Sequence, residues 1–282
     1  MKAKPGQASR WQYDLAGPTG DFPEWRGPPR STLIICTQPR SGSTLLSEAL
    51  FFAGGAGCPL EYFHAGFRPS FEARWNVTAL PDYLQALYRN RTDTDGVFSL
   101  KLFWDDVPNL LNELAPGAFD WNEAQPSSIA DALYRDVHAH LQGIFPNPRY
   151  IWLRRNDTVA QAVSVSVANQ RRRWRQIDTS DPAHRRKVEF RFERLLEVLA
   201  RIQRRDAHWQ RFFAANQLDP IDVRYETLAG DYEREVRKLL AMLGRESAPI
   251  PAPRLKKQAD AQSAQIADMF RERFGMIAGI RS

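Results

Sequence analysis

Thr32-Leu-Ile-Ile-Cys-Thr-Gln-Pro-Arg-Ser-Gly-Ser-Thr-Leu-Leu46 holds a β-rich apolar run, a tight turn and the opening of a helix. The run from Thr32 to Thr37, bounded by Pro29 and Pro39, predicts a buried strand. Gln38-Pro-Arg-Ser-Gly42 is the turn. Ser43 to Phe52 predicts a helix with Leu45, Leu46, Ala49 and Leu50 on one face, stopped by Gly54-Gly55. Such a turn delivers the N–H groups of Gly42, Ser43 and Thr44 to a helix start, where they have no helical partner and the helix dipole places partial positive charge. That is an anion seat. Gly42 lets the backbone come close to the anion, Ser41, Ser43 and Thr44 add hydroxyls, and Arg40 adds a forked positive charge. The loop is not GxxxxGK[ST]: it has one glycine, and an arginine stands two residues before it. A plain capped helix after a strand explains the same residues with no ligand at all.

Working outward, further strands are expected at Val97–Trp104, Arg149–Leu153 and Ile221–Tyr225. Between them helices are expected from Ser128 to Gly143, from an Asp157 cap through Gln170, and from Val188 to Phe213. In the last, Val188, Phe192, Leu195, Leu199 and Ile202 form one apolar stripe. Tyr232–Leu243 and Gln258–Phe274 complete the helices, while residues 58–75 read as an irregular aromatic segment. Strands alternating with helices give an α/β fold, a central mostly parallel sheet flanked by helices. The expected division is a loose N-terminal arm, residues 1–30, and one domain, residues 31–282.

The chain's 282 residues suit one large domain with its own core. Cys36 and Cys58 are its only cysteines, too few for a disulfide framework and not in metal-ligand spacing. The polar start lacks the apolar core of a signal peptide, and no stretch reaches the roughly 18–20 apolar residues of a membrane span. A cytoplasmic protein without a transmembrane segment is expected. Net charge is +6, which favours anionic partners. Arg171-Arg-Arg-Trp-Arg175 and Arg185-Arg-Lys187 could suit nucleic acid, but such runs are usually solvated helix faces, and no nucleic-acid partner is expected.

Arg155 ends the third strand, and Ser164 lies on the following helix. Both would emerge at the carboxyl ends of a parallel sheet, where ligands bind. There they could hold a second phosphate.

Taken together, PRSGSTLL (39–46), PLEYF (59–63), LKLFW (100–104), RNDTVAQAVS (155–164), PIDVRYETL (220–228) and RLKKQAD (254–260) resemble, in order, the bacterial trehalose sulfotransferase family. The resemblance spans roughly residues 32–275. It implies a P-loop-like sulfotransferase fold and transfer of a sulfuryl group from 3′-phosphoadenosine 5′-phosphosulfate (PAPS) to a hydroxyl of a carbohydrate or glycolipid, with a homodimer as candidate assembly. It implies that Arg40, Ser41, Gly42, Ser43 and Thr44 grip the 5′-phosphosulfate and that Arg155 and Ser164 grip the 3′-phosphate. Tyr225 would contact the adenine, the Lys257-Gln-Ala-Asp260 stretch would close over the nucleotide with Lys257 assisting at the 3′-phosphate, and Glu61 would be the general base.

Burial would raise the Glu61 carboxyl toward neutrality, as a base requires. His64, three residues on, is the rival base. Lys101, at a strand end, is a further candidate at the transferring group. The competing enzyme reading is a P-loop kinase-like transferase with Asp105 and Asp106 on Mg²⁺, which the missing loop lysine disfavours. No metal is expected: His138 and His140 are two residues apart and do not share a helix face.

Overall fold

The computed structural model describes residues 14–119, 124–172, 174, 187–254 and 261–277. Its centre is a sheet of four parallel strands in the order β2-β1-β3-β4, with β1 Ser31–Thr37, β2 Val97–Phe103, β3 Pro148–Arg154 and β4 Ile221–Arg224. The first three are covered on both faces, which is why they read as continuous apolar runs. From β1 the chain steps to β2 on one side and then crosses to β3 on the other. The carboxyl end of β1 is therefore a topological switch point, the place where an open α/β sheet leaves a crevice.

Alternation along the strands sends Leu33, Ile35, Ile151 and Leu153 to one face, against Leu46 and Leu50 of α1 (Ser43–Ala53) and Val236 and Leu240 of α9 (Tyr232–Met242). Ile34, Cys36, Phe98, Leu100, Leu102 and Trp152 take the other face. There they meet α2 (Arg68–Trp75), α3 (Leu80–Arg91), α4 (Asp106–Leu114), α5 (Asp131–Ile144) and the last turns of α7 (Phe192–Ala215). The first half of α7 instead packs through Phe192, Leu195, Leu199 and Ile202 against α6 (Thr158–Arg171) and α10 (Ala261–Ile277). At about 1.5 Å per residue α7 reaches far enough to serve both cores. Its apolar stripe is as expected, but the helix starts at Phe192, not Val188.

Other expectations need correcting. Residues 14–30 are not a loose arm. Arg91, fully buried at the end of α3, donates to the carbonyls of Leu15, Ala16 and Gly17 and pairs with Asp21, while Phe22 N–H and Trp25 N–H bond to the carbonyls of Asn90 and Arg89. The arm is held largely through its backbone carbonyls and N–H groups, with Asp21 as an ionic anchor, and backbone docking leaves little sign in a sequence. Residues 58–75 are not irregular throughout, since α2 occupies their end; α3 and α4 had also gone unread. Tyr225 does not end β4 but opens a short helix, α8 (Tyr225–Gly230). Among the described residues no helix is long and apolar enough to cross a membrane.

His208 of α7 fastens this helix to the sheet. It stacks on Trp104 at 4.9 Å and 4°. Its Nε2 donates to the Ala124 carbonyl at 3.1 Å, which leaves Nδ1 to accept from the Tyr134 hydroxyl at 2.8 Å. Burial pulls its pKa down to about 4 from the ordinary 6.5. Folding therefore favours the neutral ring. The stability this gives is complete above pH 6.5 and is lost as pH falls from 6.5 toward 4, by up to about 3 kcal/mol. Burial pushes Asp106 and Asp206 up to about 7, which acts in the opposite sense as pH rises from about 4 to 7. Subtracting the pH–stability curve of His208→Gln from that of the wild type removes this shared background. The difference should shrink between pH 6.5 and 4, and a flat difference would refute the assignment.

Candidate active site

The loop between β1 and α1 is built from its own residues. Ser41 Oγ donates to the Gln38 carbonyl at 2.8 Å and lies 2.6 Å from Thr37 Oγ1, which in turn donates to the Leu153 carbonyl on β3 at 2.9 Å. The Ser41 hydroxyl, offered by the sequence as a ligand donor, is thus buried and occupied in closing the turn. Gln161 of α6 fixes the loop from outside, donating to the Pro39 carbonyl at 2.9 Å. Arg40 and Gly42 both have left-handed backbone, φ 66° and 88°. Gly42 is the N-cap of α1, whose first bond runs from Leu46 N–H to Gly42 O, so the N–H groups of Ser43, Thr44 and Leu45 point out of the helix start. Glycine is required there for a reason besides anion approach: a Cβ would meet the Tyr225 ring at 2.5 Å.

Tyr225 is the pivot between the two anion elements. One side of its ring faces Gly42, and the Arg155 guanidinium lies over it, 4.8 Å from the centroid. Arg155 is 3.8 Å from Glu226, whose carboxylate also accepts from the N–H groups of Asn156 and Asp157 and so holds the turn after β3. Asp157 caps α6, accepting from Ala160 N–H, and pairs with Arg271 of α10.

Ser164, about two turns further along α6, receives Arg40 Nε at 2.9 Å, while Arg40 Nη1 donates to the Trp174 carbonyl at 2.5 Å. Burial lowers the Arg40 pKa, and the neighbouring positive charge of Arg155 lowers it further. Two guanidiniums that repel each other at the carboxyl ends of adjacent strands make a site that gains when an anion arrives. The sequence had put Arg40 with one phosphate and Arg155 with Ser164 at another; the structure brings all three together. Lys257 lies outside the described residues, as do residues 173 and 175–186 of the basic tract.

A second cluster stands at the end of β2. The segment carrying Glu61 runs alongside β2, with Leu60 bridged to Leu100 and Lys101 N–H bonded to the Leu60 carbonyl at 2.8 Å. This puts Glu61 Oε1 2.6 Å from the Lys101 ammonium. Lys101 is 2% exposed and Glu61 17%, so one partner is buried and the other reaches the cleft. His64 is arranged differently from a base. Its Nδ1 accepts from Gly66 N–H at 3.1 Å, so the neutral ring carries its proton on Nε2. Burial lowers its pKa, with Glu61 opposing.

Asp105 is ion-paired with Arg205 of α7, and Asp106 is buried in the first turn of α4, where Glu61 adds to the upward pull on its carboxyl. Among the described residues no three potential ligands cluster as a metal would need. Sequence reasoning missed Gln161 and Glu226, which position the two loops, although both lie inside the motifs quoted above. It also passed over Gln38.

The class defined by this fold and site is an α/β protein with a phosphate-loop-like anion seat at its switch point. The Stf0 sulphotransferase family model matches residues 32–273, and the chain belongs to that family and is a sulfotransferase. It is 28% identical over 270 residues to the trehalose 2-sulfotransferase of Mycolicibacterium smegmatis (strain ATCC 700084 / mc(2)155), covering 86% of this chain and 95% of the relative. It is 27% identical over 255 residues to the trehalose 2-sulfotransferase of Mycobacterium tuberculosis (strain ATCC 35801 / TMC 107 / Erdman), covering 86% and 94%.

Proposed function

We propose that the protein transfers the sulfuryl group of PAPS to a hydroxyl of a carbohydrate, with Glu61 as general base. The observation that carries this reading is the convergence of Arg40, Arg155 and Ser164 beside the α1 N-terminus, with Glu61 one strand away. PAPS carries two separated anionic groups, and this stretch of cleft offers donors for both. In the transfer, the acceptor oxygen forms a bond to sulfur as the bond from sulfur to the bridging phosphate oxygen breaks, and the acceptor proton passes to Glu61. Charge grows on the leaving phosphate, where the N–H groups of Ser43 and Thr44 at the start of α1 and the Arg40 guanidinium would donate to it. Lys101 fixes the Glu61 carboxylate toward the cleft.

The names of both relatives point to trehalose, so a sugar hydroxyl is the acceptor class we infer and trehalose the first compound to supply. The kinase-like alternative lacks support: Asp105 is held by Arg205, and the loop has no lysine. Calorimetric titration with adenosine 3′,5′-bisphosphate, with ADP as control and no added metal, tests the donor site. Micromolar binding of the bisphosphate and much weaker binding of ADP is expected. No preference between them, or binding of ATP only with Mg²⁺, would refute the reading.

A further inference from the structure

Gln38 is the first residue beyond β1, and its side chain is 1% exposed. Its backbone carbonyl closes the loop with Ser41, yet neither Nε2 nor Oε1 of its side chain has a hydrogen-bond partner among the described residues. A buried amide with nothing bound at either end costs stability, and an apolar side chain of the same shape would remove the cost. Such a group in a native fold calls for an explanation. Its place supplies one. The β1–β2 register ends at Thr37 opposite Phe103, so Gln38 leaves the sheet next to Trp104, just ahead of the turn into α4. There Asp106, 5% exposed, also has an unpartnered buried oxygen, Oδ2. These three unsatisfied polar atoms sit at the carboxyl ends of neighbouring strands, at the same end of the sheet as Glu61.

We infer that Gln38, together with Asp106, binds acceptor hydroxyls beside the one that reacts, which makes these two residues determinants of acceptor specificity. The inference rests on the sulfotransferase reading of Glu61 given above and deepens it. A hydroxyl both donates and accepts, and a primary amide offers both complements, while a carboxyl adds an acceptor. The donor's phosphates and sulfate are a poor match for Asp106, whose carboxylate would repel them; Arg40 and Arg155 serve them instead. Burial pushes Asp106 up to about 7, so near neutral pH it can also donate. A site built to hydrogen-bond a hydroxyl rejects an analogue that lacks it, because its own buried groups then stay unpaired.

The test combines Gln38→Met, nearly the same shape without the polar atoms, with Asp106→Asn. Wild type and both variants are assayed with PAPS against trehalose, glucose and p-nitrophenol, and each is titrated with adenosine 3′,5′-bisphosphate and melted thermally. For Gln38→Met the expected result is an unchanged or higher Tm and unchanged bisphosphate Kd and PAPS KM. Its KM for the sugar should rise by about tenfold or more. Asp106→Asn should shift the sugar KM in the same direction. An unchanged sugar KM in Gln38→Met overturns the inference. So does a rise in PAPS KM in its place, or a wild type that takes p-nitrophenol as well as or in preference to the sugars. A wild type that binds no bisphosphate is a different result: the donor site itself fails, and the ground for an acceptor site goes with it.

Discussion

Glu61→Gln is expected to cut turnover by about 10²–10⁴-fold, the usual worth of a general base, while bisphosphate affinity changes little. The split matters because Glu61 lies beside β2, where its ion pair among the described residues is with Lys101 and not with Arg40 or Arg155. The substitution has a second consequence. Lys101 is buried, and it loses the only carboxylate found in an ion pair with it among the described residues. Removing one partner of a buried pair commonly costs about 3–5 kcal/mol, less where one member reaches solvent as Glu61 does. Melting curves must therefore accompany the kinetics. Glu61→Gln with Lys101→Met removes both charges and should recover much of the lost stability without recovering turnover. If turnover returns with stability, Glu61 acts only as a counter-ion. His64→Ala separates the rival: with Nδ1 committed to Gly66 N–H, its loss should leave most of the activity. Lost activity in His64→Ala with an active Glu61→Gln would reverse the assignment.

Arg40→Met should weaken adenosine 3′,5′-bisphosphate binding by about 10–100-fold in calorimetry, on the scale of one charge-assisted hydrogen bond. The apo protein should not suffer to match. Arg40 is half-buried beside Arg155, and relieving two like charges offsets the lost bonds to Ser164 and to the Trp174 carbonyl. The combination of weaker binding with equal or better thermal stability is the signature of a group kept for its ligand. Arg40→Lys keeps a charge but loses the fork that spans Ser164 and the Trp174 carbonyl, so it should fall between. An Arg40→Met protein that binds the bisphosphate as well as wild type would remove Arg40 from the donor site.

The strand–turn–helix at 31–53 was legible because each part announces itself: a continuous apolar run for a strand covered on both faces, a glycine at a left-handed position, and hydroxyl residues at a helix start. Arg155, Ser164 and Glu61 were legible only through ordered resemblance, since a strand-end arginine or a loop carboxylate has many uses. The pairing of Glu61 with Lys101 was not legible at all. It depends on Leu60 lying beside Leu100, a contact between segments 40 residues apart that no periodicity reports. Ser41 is ambiguous for a related reason: its residue type suits both binding an anion and closing a turn, and only the distances to Gln38 and Thr37 show its hydroxyl engaged in the turn. Arg91 looked like an ordinary helix-end cation, whereas it organises the docking of the arm.

The strip of chain from Leu60 to Glu61 lies along what would otherwise be the outer border of β2. A bare border offers a ladder of unpaired backbone groups to any passing strand, the usual start of edge-to-edge association. Here the segment that holds Glu61, the proposed general base, also occupies part of that ladder through Lys101 N–H and the Leu60 carbonyl. The opposite border, β4, is only Ile221–Arg224 and carries Asp222 and Arg224 as ionic deterrents. Retaining the Glu61 strip thus guards colloidal behaviour as well as chemistry: a variant that loosened it would shed turnover and, with the same motion, open the sheet to self-assembly.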